Sequence, residues 1–125
     1  MLFNSMFTQN RILGAGMQAA QIRNEVINNN IANAEVEGFK RSVVEFEPFL
    51  ARAVDNYRRT GSLDLSRVQP RIRRTEDGFS YRVDGNNVDP QREMTLLYQN
   101  SLRYDTMMNS LMSNYRRINL ALSAR

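Results

Sequence analysis

Residues 89–125, DPQREMTLLYQNSLRYDTMMNSLMSNYRRINLALSAR, carry an unbroken apolar repeat. Positions alternately three and four residues apart are apolar with one exception; they are Met94, Leu97, Ser101, Tyr104, Met108, Leu111, Tyr115, Ile118 and Leu122. This spacing is typical of a helix that packs against another helix. Asp89 is a suitable N-cap, and Pro90 suits the first helical position because its missing N–H costs nothing there. The sequence therefore predicts a helix from about residue 90 to 122.

A weaker repeat of the same kind runs through the N-terminal segment. Its positions are Leu13, Met17, Ala20, Asn24, Ile27, Ile31 and Ala34. Gly14 and Gly16 each cost about 1 kcal/mol relative to alanine inside a helix, so this helix is expected to need a partner. The C-terminal repeat is the obvious candidate. We therefore predict a mainly α fold, in which the N- and C-terminal helices pair as an antiparallel coiled-coil-like hairpin.

The hairpin prediction divides the chain into three regions. Residues 1–40 hold the N-terminal helix, residues 89–125 hold the C-terminal heptad helix, and residues 41–88 form an irregular, arginine-rich middle segment at the far end of the hairpin. A short helix is predicted from Glu47-Pro48, and short strands are predicted at 43–46 and 79–83. These pieces are too short for an independent sheet.

The N-terminal helix carries a second apolar track beside the first, consisting of Ile12, Ala19, Ile22 and Val26. Two helices alone would leave this track exposed, and exposed apolar surface of this kind usually marks contacts with other subunits. The alternative is a compact three-helix core that buries both tracks within one chain.

Residues 28–41, NNNIANAEVEGFKR, concentrate asparagines where the N-terminal repeat ends. Asparagine is a poor helix former because its amide competes for backbone partners, so each of these residues needs a partner. One interpretation is a network of amides that fixes the register between packed helices. The other is a fraying helix end that is closed by Gly38 as its C-cap.

The composition excludes several classes of chemistry. The chain has no cysteine and no histidine, which excludes thiol nucleophiles, Cys/His zinc sites and imidazole acid–base catalysis. Lys40 is the only lysine, and no pair of carboxylates has a spacing specific to catalysis. We therefore predict no enzyme activity, no catalytic or metal-binding residues, no cofactor and no small-molecule substrate. No run of 18 or more apolar residues occurs, so no membrane span is predicted.

Arginine dominates the basic residues, and six arginines between positions 57 and 74 face only one acid, Asp64. The six are Arg58, Arg59, Arg67, Arg71, Arg73 and Arg74. Because the guanidinium fork suits both phosphate and carboxylate, a nucleic-acid-binding module is one possible function. A solvated loop, or pairing with acidic residues of neighbouring subunits, is commoner, and no helix-turn-helix, zinc-finger or stacking-sheet pattern accompanies the cluster, so we expect no nucleic-acid partner.

Two blocks of sequence resemble bacterial flagellar axial proteins. Asn30-Ile31-Ala32-Asn33-Ala34 followed by Gly38-Phe39-Lys40 is similar to their N-terminal signature, and Asp84-Gly85-Asn86-Asn87-Val88-Asp89 before Glu93-Met94 is similar to proximal rod proteins of the FlgB type. Gly61-Ser62-Leu63-Asp64-Leu65 in the middle is also similar. Val36-Glu37 departs from the Thr-Pro that this family usually has before the glycine.

The resemblance implies a structural subunit of the proximal rod of the flagellar basal body, part of the axial drive shaft for motility. It implies export by the flagellar apparatus without a cleaved signal, a location in the periplasmic rod, and three kinds of partner: further copies of this chain, other rod proteins, and the membrane-ring or export-gate end of the basal body. A basic nucleic-acid-binding module or a coiled-coil subunit of another secretion apparatus remain alternatives.

The residues predicted to mediate assembly come from the two repeats and from the N-terminal block. They are Leu13, Met17, Ile27, Asn30, Ile31, Ala32, Asn33, Gly38, Phe39, Met94, Leu97, Tyr104, Met108, Leu111, Tyr115, Ile118 and Leu122.

Overall fold

Two long helices dominate the computed structural model, which describes residues 2–76 and 83–124. The elements in chain order are α1 (Leu2–Ala32), β1 (Ser42–Glu45), α2 (Glu47–Thr60), β2 (Arg71–Arg74) and α3 (Pro90–Ser123). The predicted mainly α fold class is confirmed, and α3 matches the predicted helix closely. Among the described residues, no helix combines the length and the apolar character that crossing a membrane requires.

The long helices α1 and α3 run antiparallel, as the repeats predict. Three side chains of α3 bond to α1 at points that move towards the N-terminus of α1 as α3 proceeds. The contacts are Glu93 with Asn30 (3.1 Å), Asn100 with the carbonyl of Ala20 (2.7 Å) and Asn114 with Asn10 (2.8 Å). The paired helices therefore form a hairpin along most of their length.

The two helix ends nearest the middle segment are formed differently. The Asp89 side chain accepts hydrogen bonds from the amides of Gln91 (3.0 Å) and Arg92 (3.3 Å), so the predicted N-cap of α3 is confirmed. Helix α1 ends at Ala32, and the chain makes a turn through residues 33–38 before Gly38 adopts a φ of +70°. The interpretation of Gly38 as the C-cap of this helix is therefore wrong.

The middle segment packs along α1, whereas the sequence suggested that it lies at the far end of the hairpin. Helix α2 begins beside Arg23, whose guanidinium contacts both oxygens of Glu47 at 2.7 and 2.9 Å. After α2, the chain reaches the level of Arg11, which donates to the carbonyl of Leu63 at 3.4 Å. Helix α2 is therefore antiparallel to α1.

This arrangement covers part of the second apolar track of α1 within the chain. Phe46 and Val68 pack on Ala19, which is almost fully buried, and Val26 is buried as well. For these positions the prediction of contacts with other subunits is wrong, because the middle segment supplies the covering side chains.

The two short strands form an antiparallel pair in which Val44 stands opposite Ile72. The predicted strand at 43–46 and the predicted helix from Glu47 are confirmed, but β2 was not predicted because all four of its residues are exposed. The predicted strand at 79–83 lies, apart from Val83, outside the described residues. On its other side β1 is closed by the amide of Asn30, which bonds both the N–H and the carbonyl of Ser42.

Gly14 and Gly16 have different surroundings, which predicts different effects of alanine. A Cβ on Gly14 would meet nothing within 4 Å, whereas a Cβ on Gly16 would lie 2.8 Å from the sulfur of Met107. We expect Gly14→Ala to raise the free energy of unfolding by about 1 kcal/mol, because alanine favours the helix. Gly16→Ala should gain less, since Met107 must move. Urea denaturation measures both, and equal gains would contradict the close packing at Gly16.

Candidate assembly site

Asn86 lies at the centre of a polar joint, by which we mean the hydrogen bonds between residues 30–42 and residues 84–93. The residue is completely buried. Its Nδ2 lies 2.8 Å from the carbonyl oxygens of Ala34 and Val36 and 3.3 Å from that of Asn33. Its Oδ1 accepts from the amide of Val88 at 2.7 Å. One side chain therefore bonds three carbonyls of the turn after α1, of which those of Asn33 and Val36 also accept backbone amides.

The backbones on either side of Asn86 are also bonded to each other. The amide of Gly38 donates to the carbonyl of Asp84 (3.0 Å), and Lys40 Nζ donates to the carbonyl of Gly85 (2.6 Å). Gly38 and Gly85 both have a positive φ, +70° and +79°, which side chains other than glycine rarely adopt. The two blocks of sequence that lie far apart in the chain therefore meet in one joint.

The joint ends in a buried ion pair at the start of α3. Glu93 is completely buried, and its Oε1 accepts from Nε and a terminal nitrogen of Arg41, both at 2.7 Å. Its Oε2 accepts from Asn30 Nδ2 at 3.1 Å. A buried carboxylate is tolerated only when it is paired and hydrogen-bonded, and Glu93 has both kinds of contact.

The seam between α1 and α3 continues this polar character. At intervals of seven residues, Glu93, Asn100, Met107 and Asn114 face α1, and all but Met107 are buried polar residues that bond to α1. In coiled coils, polar residues at such positions specify register at a cost in stability. The seam therefore contributes more to the alignment of the two helices than to the burial of apolar surface.

The predicted assembly residues fall into three groups by exposure. Ile27 and Asn30 are buried; Leu13, Met17, Ile31, Asn33, Phe39, Leu97, Tyr104, Met108, Leu111 and Ile118 are half-buried; Ala32, Gly38, Met94, Tyr115 and Leu122 are exposed.

The predicted repeat of α3 therefore does not lie entirely against α1. Met94, Tyr115 and Leu122 are each more than half exposed, at 55, 53 and 68%. The interpretation of the whole repeat as the contact with α1 is wrong, because the centre of the seam lies one residue earlier in the heptad and is mostly polar. The placement of Glu93, Asn100 and Asn114 at the same heptad position, 7 and 14 residues apart, is the sequence signal that could have identified it.

The asparagines at the end of α1 also differ in their contacts. Asn28 and Asn29 are exposed. Within the part of the chain that the structure describes, the side chain of Asn33 donates only to the carbonyl of Asn29, at 2.8 Å. Asn30 is the member of this group that bonds across to α3 and β1.

Glu47 links the start of α2 to α1 and gives the fold a pH dependence. Partial burial works to raise the pKa of this carboxyl, but the backbone amides of Phe46 and Glu47 and the Arg23 guanidinium outweigh it, so the pKa lies below its usual 4.5. A lowered pKa in the folded state contributes stability at neutral pH that is lost as the pH falls through the folded pKa.

We expect Glu47→Gln to lower the free energy of unfolding by less than about 1 kcal/mol at pH 7, because the Glu47 side chain is 61% exposed and solvent screens its charge, although Arg23 is only 18% exposed. The difference from the parent should shrink at a pH below the lowered pKa, where both side chains are neutral. Urea denaturation at neutral and acidic pH measures it, and a difference that does not change with pH would contradict the role of the charge.

Comparison with known proteins gives consistent matches to one class. A family model for "Flagella basal body rod protein" matches residues 11–40. The chain is 32% identical to the flagellar basal body rod protein FlgB of Borrelia hermsii, over 85% of this chain and 89% of that protein. It is 36% identical to FlgB of Yersinia enterocolitica, over 71% of this chain and 74% of that protein. A shorter match, 43% identical over 45% of this chain and 20% of the relative, is to the rod protein FlgG of Caulobacter vibrioides.

Proposed function

Because this chain belongs to the FlgB family of flagellar basal body rod proteins and is a structural subunit of the rod, we propose that its α1–α3 hairpin is the element through which it assembles. The polar joint and the polar seam hold the hairpin together through contacts within one chain. Assembly then uses side chains that these contacts leave exposed.

The observation that carries this proposal is the apolar surface along α3. Large apolar side chains remain about half exposed or more at seven positions of this helix; they are Met94, Tyr98, Leu102, Met112, Tyr115, Leu120 and Leu122. Apolar surface of this extent on a single chain is typical of protein interfaces, and aromatic residues and methionine are enriched there. Packing against neighbouring rod subunits would bury this apolar surface of α3.

The position within the rod, the route of export and the partners are inferred from the resemblance of residues 30–40 and 84–94 to proximal rod proteins. We place this chain in the proximal part of the rod, in the periplasm, after export without a cleaved signal. Its partners are further copies of itself, other rod proteins, and the ring or export-gate end of the basal body. The match to FlgG, a basal-body rod protein, supports contact with other rod proteins. The role is mechanical, and we assign no catalytic step.

Deleting the gene tests the proposed function directly. Electron microscopy of purified basal bodies is expected to find membrane rings without a rod, and swimming should return when the gene is supplied in trans. Intact rods in the deletion strain would reject the function.

Tyr115→Asp in the complementing gene tests the exposed surface of α3. We expect swimming and rod formation to be lost, because a charge replaces an aromatic contact, while the free energy of unfolding changes by less than about 0.5 kcal/mol, since the side chain is exposed. Gln99→Asp is the control, as this exposed position of α3 is already polar. The proposal fails if both variants assemble equally well.

A further inference from the structure

An arginine-rimmed cavity of about 660 Å³ lies between α2 and the segment 64–71. Phe49, Ala53 and Val68 line it, and they belong to or pack against the apolar cluster on Ala19. Its charged lining consists of Arg52, Arg59, Arg67, Arg71, Asp55 and Asp64. The cavity therefore combines an apolar floor with an excess of positive charge at its rim.

The four arginines of the rim have no salt bridge with a carboxylate of the described residues. Arg71 lies over the ring of Phe49, with its guanidinium carbon 4.6 Å from the ring centre. Both acids of the lining already have partners. Asp55 Oδ1 lies 3.8 Å from Arg58 Nη1. Hydrogen bonds from the hydroxyl and amide of Ser66 lower the pKa of Asp64, and the charges of Arg67 and Arg11 lower it further. A ligand that fits this cavity needs an apolar group flanked by carboxylates.

The turn after α1 presents that combination. Glu35 and Glu37 are exposed, and Val36 between them is 48% exposed. The polar joint fixes the turn, because Asn86 bonds the carbonyls of Ala34 and Val36 from inside. A fixed turn loses little conformational entropy on binding.

The turn cannot reach the cavity of its own chain. The floor of the cavity packs beside Ala19, and α2 runs from there towards the level of Arg11, away from the turn. From Ala19 to the end of α1 at Ala32 is about 20 Å at 1.5 Å per residue. Any contact between the turn and such a cavity therefore joins two molecules.

We propose that residues 35–37 of one copy dock into the arginine-rimmed cavity of a second copy. Val36 contacts the apolar floor, and Glu37 pairs with the arginines of the rim. Because turn and cavity are different surfaces, the contact is heterologous, and repetition of a heterologous contact that does not close produces a helical array. The inference rests on the proposed rod function and names the contact between neighbouring copies.

Disulfide crosslinking in assembled basal bodies tests this contact cleanly, because the chain has no cysteine. The variant carries Val36→Cys in the turn and Asn56→Cys in the lining of the cavity. An internal disulfide is excluded, since bridged Cα atoms lie within about 7 Å of each other. Mild oxidation is expected to produce a ladder of dimers, trimers and longer multimers. The control replaces Asn56→Cys by Gln18→Cys, an exposed position of α1 outside the cavity lining, and should give no ladder.

Charge reversal tests the ionic part of the contact. Adding Glu37→Arg is expected to reduce the ladder at least fivefold, and adding Arg67→Glu as well should restore it. If the cysteine variants fail to assemble, the same reversals in the cysteine-free chain are scored by swimming: each alone should impair it, and the pair should recover it.

Four results would overturn the docking: a ladder as strong with Gln18→Cys, a product that stops at the dimer, a crosslink from Asn56→Cys to a different protein, or no rescue by the paired reversal. Normal rods without a ladder would reject the docking and leave the rod function standing. Absence of the parent chain from purified rods would reject the function itself.

Discussion

Glu93→Ala is expected to lower the free energy of unfolding by about 3 to 5 kcal/mol, which is a large part of the total for a small protein. Glu93 is completely buried, and its carboxylate receives hydrogen bonds from Arg41 and Asn30. Removing it leaves the Arg41 guanidinium, whose side chain is only 15% exposed, without its counter-charge. Urea denaturation followed by circular dichroism measures the change.

The exposed ion pair between Glu45 and Arg73 is the matched control. Its nitrogen–oxygen distance is also 2.7 Å, but both side chains are substantially exposed, at 41 and 57%. Glu45→Ala should therefore cost less than about 1 kcal/mol. The loss in free energy of unfolding caused by Glu93→Gln should lie between those of Glu93→Ala and Glu45→Ala, because glutamine keeps the shape of the side chain and removes its charge. Similar losses from Glu93→Ala and Glu45→Ala would show that burial does not govern the pair.

Asn86→Asp is expected to cost about 3 kcal/mol or more and to disconnect the turn after α1 from α3. The substitution replaces the amide nitrogen by an oxygen that faces the carbonyl oxygens of Ala34 and Val36. A buried group that loses its partners keeps its full desolvation penalty, and a charge increases that penalty. Hydrogen exchange at the amides of Gly38 and Arg41, which bond across the joint, should accelerate.

Asn28→Asp is the control for that substitution. Asn28 is exposed on α1, so the same chemical change should alter the free energy of unfolding by less than about 0.5 kcal/mol. Asn86→Ala should cost less than Asn86→Asp, because it removes the donor without placing an acceptor in the joint. Equal effects at Asn28 and Asn86 would contradict the role of Asn86 as the centre of the joint.

The sequence was informative about elements whose determinants are local. The apolar repeat of α3, the cap at Asp89 and the proline after it depend only on neighbouring residues, and the helix was predicted almost to its ends. The start of α2 at Glu47-Pro48 follows the same logic. Pairing of the two long helices followed because the N-terminal helix was expected to need a partner and the C-terminal repeat was the obvious candidate.

The sequence was misleading where polar contacts over long distances decide the outcome. A repeat that is defined by apolar residues does not reveal a seam whose centre holds Glu93, Asn100 and Asn114. These polar residues stabilise the seam only through their hydrogen-bond partners in α1. Strand β2 has no apolar alternation, because it is specified by pairing with β1. The placement of the middle segment depends on Phe46 and Val68 packing on Ala19, which no local pattern encodes.

The separation of these contacts along the chain also governs when the protein can fold. Asn30 and Glu93 are 63 positions apart, and Asn10 and Asn114 are 104 apart. During synthesis, a nascent chain therefore contains all the residues of α1 long before the residues that align this helix exist. Contacts of such high sequence separation form slowly and late. We expect the chain to remain unfolded until its last third has been synthesised. Few partly folded copies would then be present to associate in the wrong order.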